Sequence, residues 1–467
     1  MEKVYAGTRL RRLREERGLT QVELARILAI SPSYLNQIEH DTRPLTVTVL
    51  VRLAEVFGID PTFFAPRDTA RQLAELREAL PEAAGGQAVP LSDLQQVAAS
   101  MPEIADAVVN LHRRYRDALT HLESVTDSRT ESPALMPHEH VRDFFYRRQN
   151  YVDVLDRAAE GLAKEIGTRR GEVRRHLRRH LEEAHGIRVE SAPAEGVDTH
   201  TYSETERVLR LSSDLRPGQQ AYRMATQLAY LEADDLIEQV LGEETWPDDT
   251  TRSLARIGLA NHFAGALILP YTPFFRAAER MRYDVEVLAE YFGVGYETIA
   301  HRLSTLQRPH MRGVPFIFVR VDKAGNISKR QSATGFHFSR SGGTCPLWNV
   351  YDAFASPGRV DVQVAEMPDG QRYLWVARTV TRRRGGYGNA AKTFVIGLGC
   401  ELRQAGRMAY SKGLDLTTPD AVPIGPGCRT CDRPRCPQRA APPIGRPLLV
   451  DESRGSFAPY PLTPTIP

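Results

Sequence analysis

Two helix-start signals, Thr20 and Ser31, stand eleven residues apart near the beginning of the chain. A Ser or Thr hydroxyl accepts from a backbone N–H two or three residues on, so each marks a place where a helix can begin. Glu23 follows Thr20 by three residues and completes a capping box. Pro32 follows Ser31 at the first helical position, where the missing N–H costs nothing. Gly18 stops an earlier helix whose apolar stripe is Leu10 and Leu13. Leu24, Ala25 and Leu28 then form one buried face, Leu35 and Ile38 the next, and Leu50 and Leu53 a fourth in a helix starting from Thr46. Helices this short are not stable alone, so they must pack on one another. Residues 8–64 are therefore expected to form an all-α unit of five short helices, with Ser33, Tyr34, Asn36 and Gln37 on the outer face of the third.

The remainder of the 467 residues divides by texture, as two to four domains should at this length. We place boundaries at 1–66, 67–150, 151–310 and 311–467. The second and third regions are mostly helical, with a polar or extended piece near 187–215. In the second, Leu94, Val97, Met101, Ile104, Val108, Leu111, Tyr115, Ala118 and Leu122 step by threes and fours. That is a heptad stripe suited to a homodimer seam or to docking on the chain's own core. From Gly313 short β-branched and aromatic runs take over: "VPFIFVRVD", "VDVQVAEM", "RYLWVARTV" and "KTFVIGLGC". The fold class expected is multidomain α+β, ending in a Cys-rich tail. Five cysteines, an odd number, argue against a disulfide framework and for a reducing compartment. The start of the chain lacks the apolar core of a secretory signal, and no apolar run approaches a membrane span. A cytoplasmic protein is expected.

The pattern "LTQVELA", "SYLNQIE" and "RLAEVFGI" resembles the Cro/repressor-type helix-turn-helix domain over residues 8–64. The resemblance implies double-stranded operator DNA as partner, with the helix capped by Ser31 in the major groove. Ser33, Tyr34, Asn36 and Gln37 would then meet base edges or phosphates, and Gln21 and Arg43 would hold phosphates. Charge adds little: residues 1–65 carry nine Lys/Arg against eight Asp/Glu, six of the nine within the first 17 residues.

"QQAYRMATQLAYLEADD" and "ARIGLANHFAGALILPYTPF" resemble the two core helices of the ImmA/IrrE-type metallopeptidase, a zincin-like frame. That family carries an H-E-x-x-H pair of zinc ligands and a carboxylate. Here Thr226, Gln227 and Tyr230 stand at the H-E-x-x-H positions, and Ile257 and Leu259 where the carboxylate would come. His262 is a lone histidine nearby. None of the five can replace imidazole and carboxylate, so no peptidase activity is expected, only a cleft able to bind a small molecule.

The C-terminal third, with "GCRTCDRPRCPQRA", resembles the C-terminal domain of short-chain fatty acyl transcriptional regulators, and with the other domains the resemblance covers nearly the whole chain. It implies control of acetate and propionate metabolism and an acyl-coenzyme A or related metabolite as effector. Arg312, Arg320, Lys323, Lys329 and Arg330 gather at the start of the sheet, where coenzyme A phosphates would need cations. Cys428, Cys431 and Cys436 have chelating spacing. Two centres fit: an iron–sulfur cluster, [4Fe–4S] in type, or a structural zinc. The resemblance favours the cluster. The fourth ligand is open between Cys400 and Cys345. Arg429, Arg433, Arg435 and Arg439 interleave the thiols and would offset their charge. The expected function is an effector-responsive, dimeric or higher-order transcription factor. The alternatives are a DNA-targeted metallopeptidase that cuts a partner repressor, and a purely redox-sensing repressor.

Overall fold

The computed structural model describes residues 7–460 except 18, 41, 58–72, 74, 81–88, 102–103, 113–114, 116–136, 169–170, 194–197, 335, 337–343, 384–387, 389–390, 432, 434–435, 444–447, 449, 451, 454, 456 and 458–459. Gly18, Ala118, Leu122 and Arg435, named above, lie outside the described residues. The chain divides into two compact units: Met1–Leu80 with Val89–Val109, and Pro81–Ala88 with Asn110–Pro467.

In the first unit α1 is Gly7–Glu16, α2 Gln21–Ile27, α3 Pro32–Glu39 and α4 Val47–Phe57. The caps form as expected. Thr20 accepts from Glu23 N while the Glu23 carboxylate accepts from Thr20 N, and Ser31 accepts from Tyr34 N. Leu10, Leu13, Leu24, Leu28, Leu35, Ile38 and Leu53 are all buried in one core. Helix α5, Leu91–Ser100, belongs to a second small core with Leu76, Ala105 and Val109. The heptad stripe is divided: Leu94 is buried, while Met101, Ile104, Leu111 and Tyr115 are exposed.

The second unit begins with α6 (Pro137–Arg147), α7 (Asp153–Glu165) and α8 (Val173–His185). A three-stranded sheet follows, with β1 Arg188–Ala192, β2 His200–Ser203 and β3 Val208–Ser212 in the order β1-β3-β2. Then come α9 (Pro217–Glu232), α10 (Asp234–Gly242), α11 (Asp249–Ile268), α12 (Tyr271–Arg280), α13 (Val285–Phe292) and α14 (Tyr296–Leu303). A six-stranded sheet closes the unit. Its strands are β4 Ile317–Asp322, β5 Ile327–Ser332, β6 Asp361–Glu366, β7 Arg372–Arg383, β8 Ala391–Glu401 and β9 Val422–Pro423, in the order β5-β4-β8-β7-β6-β9.

Each of the four apolar runs read from the sequence is a strand of this sheet. The sheet does not stand apart from the helices before it. One core runs from Phe144 on α6 through Leu228 and Phe263 to Leu398 on β8 and Met408. The change at Gly313 is thus a change of element type within one apolar interior. No helix among the described residues is long and apolar enough to cross a membrane.

Candidate functional site

The outer face of α3 is set by what lies beneath it. The Glu39 carboxylate is wholly buried and is held by a two-pronged bond from Arg14, at 2.7 and 3.1 Å, and by Gln21 Nε2 at 2.7 Å. This clamp fixes α1, α2 and α3 relative to one another. Gln21 also donates to Asn36 Oδ1 at 3.3 Å, so its amide N–H groups are engaged inside the unit. The expected phosphate contact from Gln21 would need those donors. Ser31, Ser33 and Asn36 are exposed, Tyr34 and Gln37 partly so, and exposed Arg43 lies 5.6 Å from the Tyr34 ring.

The tail forms a thiol pocket. Cys428, Cys431 and Cys436 line one small cavity together with Cys345, Gly425, Arg433 and Arg439. Cys400 lies elsewhere, buried on β8 with its Sγ 3.3 Å from Met408 Sδ, and burial pushes its thiol up to about 12. Of the two candidate fourth ligands, Cys345 is therefore the one beside the other three. Burial also raises the Cys345 and Cys431 thiols, against backbone N–H donors from Leu347 and Gly425 to the first and from Arg433 to the second. The chain comes in close: a Cβ on Gly425 would sit 2.6 Å from Cys431 Sγ, so only glycine fits. Arg439 is buried and donates to the carbonyls of Cys431, at 3.3 Å, and Arg433. Arg433 in turn bonds the carbonyls of Ile424 and Glu366, tying the tail to β6. Arg429 is exposed. Four thiols, inward N–H groups and two guanidiniums bonded to carbonyls rather than carboxylates fit a negatively charged thiolate centre.

A larger cavity of about 560 Å³ opens between α6, α11 and β5. Its apolar wall includes Phe145 on α6 and Leu254 and Ile257 on α11; its cations are Arg142, Lys329 and Arg330. Gly258 lets the Phe145 ring approach, since a Cβ there would meet it at 2.6 Å. Burial pushes the Lys329 ammonium down to about 8, against the attraction of Glu297 and with the help of Arg320 and Arg382. Of the five cations expected to serve phosphates, Lys329 and Arg330 line the cavity. Arg320 is paired with Glu297 at 3.0 Å, and Arg312 and Lys323 are exposed and off the cavity wall. His262 faces the cavity too. Its Nε2 accepts from Val152 N at 3.4 Å, and burial pushes it down to about 4, so the ring is neutral at pH 7.

The cavity does not open on Thr226, Gln227 or Tyr230 of α9, the positions read from the sequence as those of the peptidase ligands. Thr226 and Gln227 are buried, and the Thr226 hydroxyl donates to the carbonyl of Tyr222. The Tyr222 hydroxyl reaches Asn261 O at 2.9 Å, and Tyr230 lies under Arg256, 5.0 Å away. Leu259 is core; Ile257 alone of the five substituted positions lines the cavity. Behind His262 lies a buried ionic cluster. Asp156 takes Arg302 at 2.6 Å and Arg308 at 2.8 Å, and Arg308 also holds Glu160 at 2.8 Å and the Tyr151 hydroxyl at 3.0 Å.

Comparison with known proteins bears on all three regions. Residues 10–64 match the helix-turn-helix family model, 182–304 the IrrE N-terminal-like domain, and 305–460 the short-chain fatty acyl coenzyme A regulator C-terminal domain. The HTH-type transcriptional regulator RamB of Mycobacterium tuberculosis is 55% identical, over 98% of this chain and 99% of that protein. The chain belongs to the short-chain fatty acyl transcriptional regulator family. The HTH-type transcriptional regulator PrpR of M. tuberculosis is 48% identical over 98% of this chain and 96% of its own. The propionyl-CoA carboxylase regulator of Cereibacter sphaeroides is 43% identical over 98% and 99%. A solved M. tuberculosis transcriptional regulator superposes with a TM-score of 0.68 at 51% identity, covering 70% of this chain and 99% of that one. Like these relatives, this member of the family is a helix-turn-helix transcriptional regulator.

Sequence reasoning missed the contribution of α6 to the cavity. Arg142 and Phe145 lie about a hundred residues before the α11 residues they face, and no motif links them.

Proposed function

We propose that the chain regulates genes of short-chain fatty acid metabolism, acetate or propionate, by binding an operator through α3 and an acyl-coenzyme A or related metabolite in the cavity between α6, α11 and β5. One observation carries the ligand reading. The cavity joins an apolar wall to a half-buried Lys329 and to Arg330, which suits a molecule with a short acyl end and an anionic body. The relatives' names point the same way. On this reading the peptidase frame is a scaffold without peptidase activity, and effector control is linkage: the ligand must bind the DNA-competent and incompetent states unequally. Two copies reading two half-sites complete it, with exposed Met101 and Ile104 of the first unit available for pairing.

We also propose that Cys345, Cys428, Cys431 and Cys436 hold a metal centre, an iron–sulfur cluster or a structural zinc. Such a centre would pin the tail, and a cluster could add redox sensitivity. Iron, sulfide and zinc analysis of anaerobically purified protein separates the two.

The deciding experiment for the regulator measures operator binding with and without acetyl- and propionyl-coenzyme A, alongside calorimetric titration of each. Saturable binding that changes operator affinity is expected. Binding of neither thioester would sink the effector reading. Gln37→Ala should relax base preference by about 1–3 kcal/mol, while Arg43→Ala should weaken all sequences alike.

A further inference from the structure

We infer that His180, His185 and Glu232 form a divalent-cation site that staples α8 to α9. Nε2 of His180 lies 2.6 Å and Nε2 of His185 lies 2.7 Å from the same atom, Oε1 of Glu232. The three ligand atoms all lie within 4.8 Å of one another. Two imidazoles and one carboxylate are the donor set of open zinc sites, with water in the fourth position. The three side chains are 17, 20 and 23% exposed, so they are held in place yet reachable by solvent.

The local fold brings them together for reasons of its own. His185 is the last residue of α8 and Glu232 the last of α9. Gly186, at φ +62°, ends α8, with Gly186 N bonded to Glu182 O and Ile187 N to Leu181 O. The His185 carbonyl is fixed by Arg207. Leu181 and Leu228, both fully buried, join the two helices beneath the polar group. Both helices thus end at the triad, and the Arg207 guanidinium that takes the His185 carbonyl fixes the end of α8 there. The arginines on the outer face of α8 are engaged by acids of the same helix: Arg178 with Glu182 at 2.9 Å and Arg179 with Glu183 at 3.9 Å.

Ligand atoms about 2.0–2.2 Å from a tetrahedral ion stand roughly 3.3–3.6 Å apart, so the two N–O contacts must open by roughly 0.6–0.9 Å, a movement that side-chain rotation at the two helix ends can supply. The mixed nitrogen and oxygen set selects a zinc-class ion over calcium or magnesium, which take oxygen ligands. This site is not the lost peptidase centre. Thr226 and Tyr230 lie on the face of α9 turned to α11, through Tyr222–Asn261 and Tyr230–Arg256, whereas Glu232 lies on the side turned to α8.

The test is cobalt(II) and zinc(II) titration of the full chain after chelator treatment, with thermal melting as a second readout. The tail thiols would bind these ions as well, so Cys431→Ser is titrated beside the unaltered protein. One equivalent should survive Cys431→Ser and show cobalt bands without thiolate charge transfer. That equivalent should disappear in His180→Gln/His185→Gln and in Glu232→Gln. Zinc should raise the melting temperature of Cys431→Ser, and this rise should vanish when Glu232→Gln is added. Far-UV circular dichroism of Glu232→Gln, nearly equal in size, checks that loss of metal is not loss of fold. An unchanged metal count in the triad variants, or saturation only at millimolar metal, overturns the proposal.

Discussion

The thiol pocket and the larger cavity lie in one unit, and both set arginines beside an interior space, Arg433 and Arg439 in the first and Arg142 and Arg330 in the second, but the cavity adds a lysine. Arg433 and Arg439 flank the thiols. A guanidinium stays charged at any pH a protein survives, so Arg439, buried and bonded to carbonyls, needs a lasting negative neighbour. Lys329 stands in the cavity instead. An ammonium can shed its proton when its surroundings are poor, and the fall of Lys329 to about 8 records that ease. A fixed charge suits a resident centre. An adjustable charge suits a ligand that comes and goes. On the proposed reading, the contrast fits a resident centre in the pocket and an exchangeable ligand in the cavity.

The sharpest way to break that assignment is Cys431→Ser. We expect total loss of the bound centre and faster proteolysis after residue 425, with acyl-coenzyme A binding in the cavity retained. Cys400→Ser should leave the centre intact. If the Cys431 variant lost thioester binding as completely as metal, the two cavities would be one system and the contrast would fail. Next in size is Asp156→Ala. It leaves Arg302 and Arg308 buried without their shared acid and should cost about 3–5 kcal/mol in urea denaturation. Its neighbour His262 reaches the cavity, so thioester affinity should fall as well while the metal content holds. Lys329→Met is milder. Removing one charge-assisted contact should weaken the thioester by about 1.5–3 kcal/mol, roughly 10- to 100-fold, with the metal content unchanged.

How much of this could be read in advance depended on how local each signal is. The caps at Thr20 and Ser31 and the buried Leu35 and Ile38 are decided within a few residues, and they form as read. Four strands of the large sheet announced themselves by apolar runs. Strand β5 did not: Ser328, Lys329, Arg330 and Gln331 do not look like a strand, and it forms because β4 pairs with it across the Asp322–Asn326 turn. The choice between Cys345 and Cys400 was closed to sequence because neither lies near the tail; only the fold of the tail against β6 settles which is at hand. A cleft was expected within the peptidase-like frame. It lies between α6, α11 and β5, because Arg256 and the tyrosines of α9 occupy the side where α9 meets α11.

The smallest effect is also the most specific to Lys329. Its folded value, about 8, lies below the ordinary lysine value of about 10.4. Between these limits the unfolded chain binds a proton that the folded chain has released. Stability of the ligand-free protein should therefore rise with pH across this window through this residue. Ligand affinity should move the other way. An anionic ligand prefers the ammonium, so its affinity should be flat below pH 8 and fall above it, by at most about tenfold per pH unit. Lys329→Met should abolish both slopes together. Calorimetric titration and chemical denaturation from pH 6.5 to 9.5 measure the two trends on the same samples. Parallel slopes would mean that a group other than Lys329 governs the cavity, and the adjustable-charge reading would fail. Opposed slopes that vanish in the variant would tie the signalling role to this one ammonium.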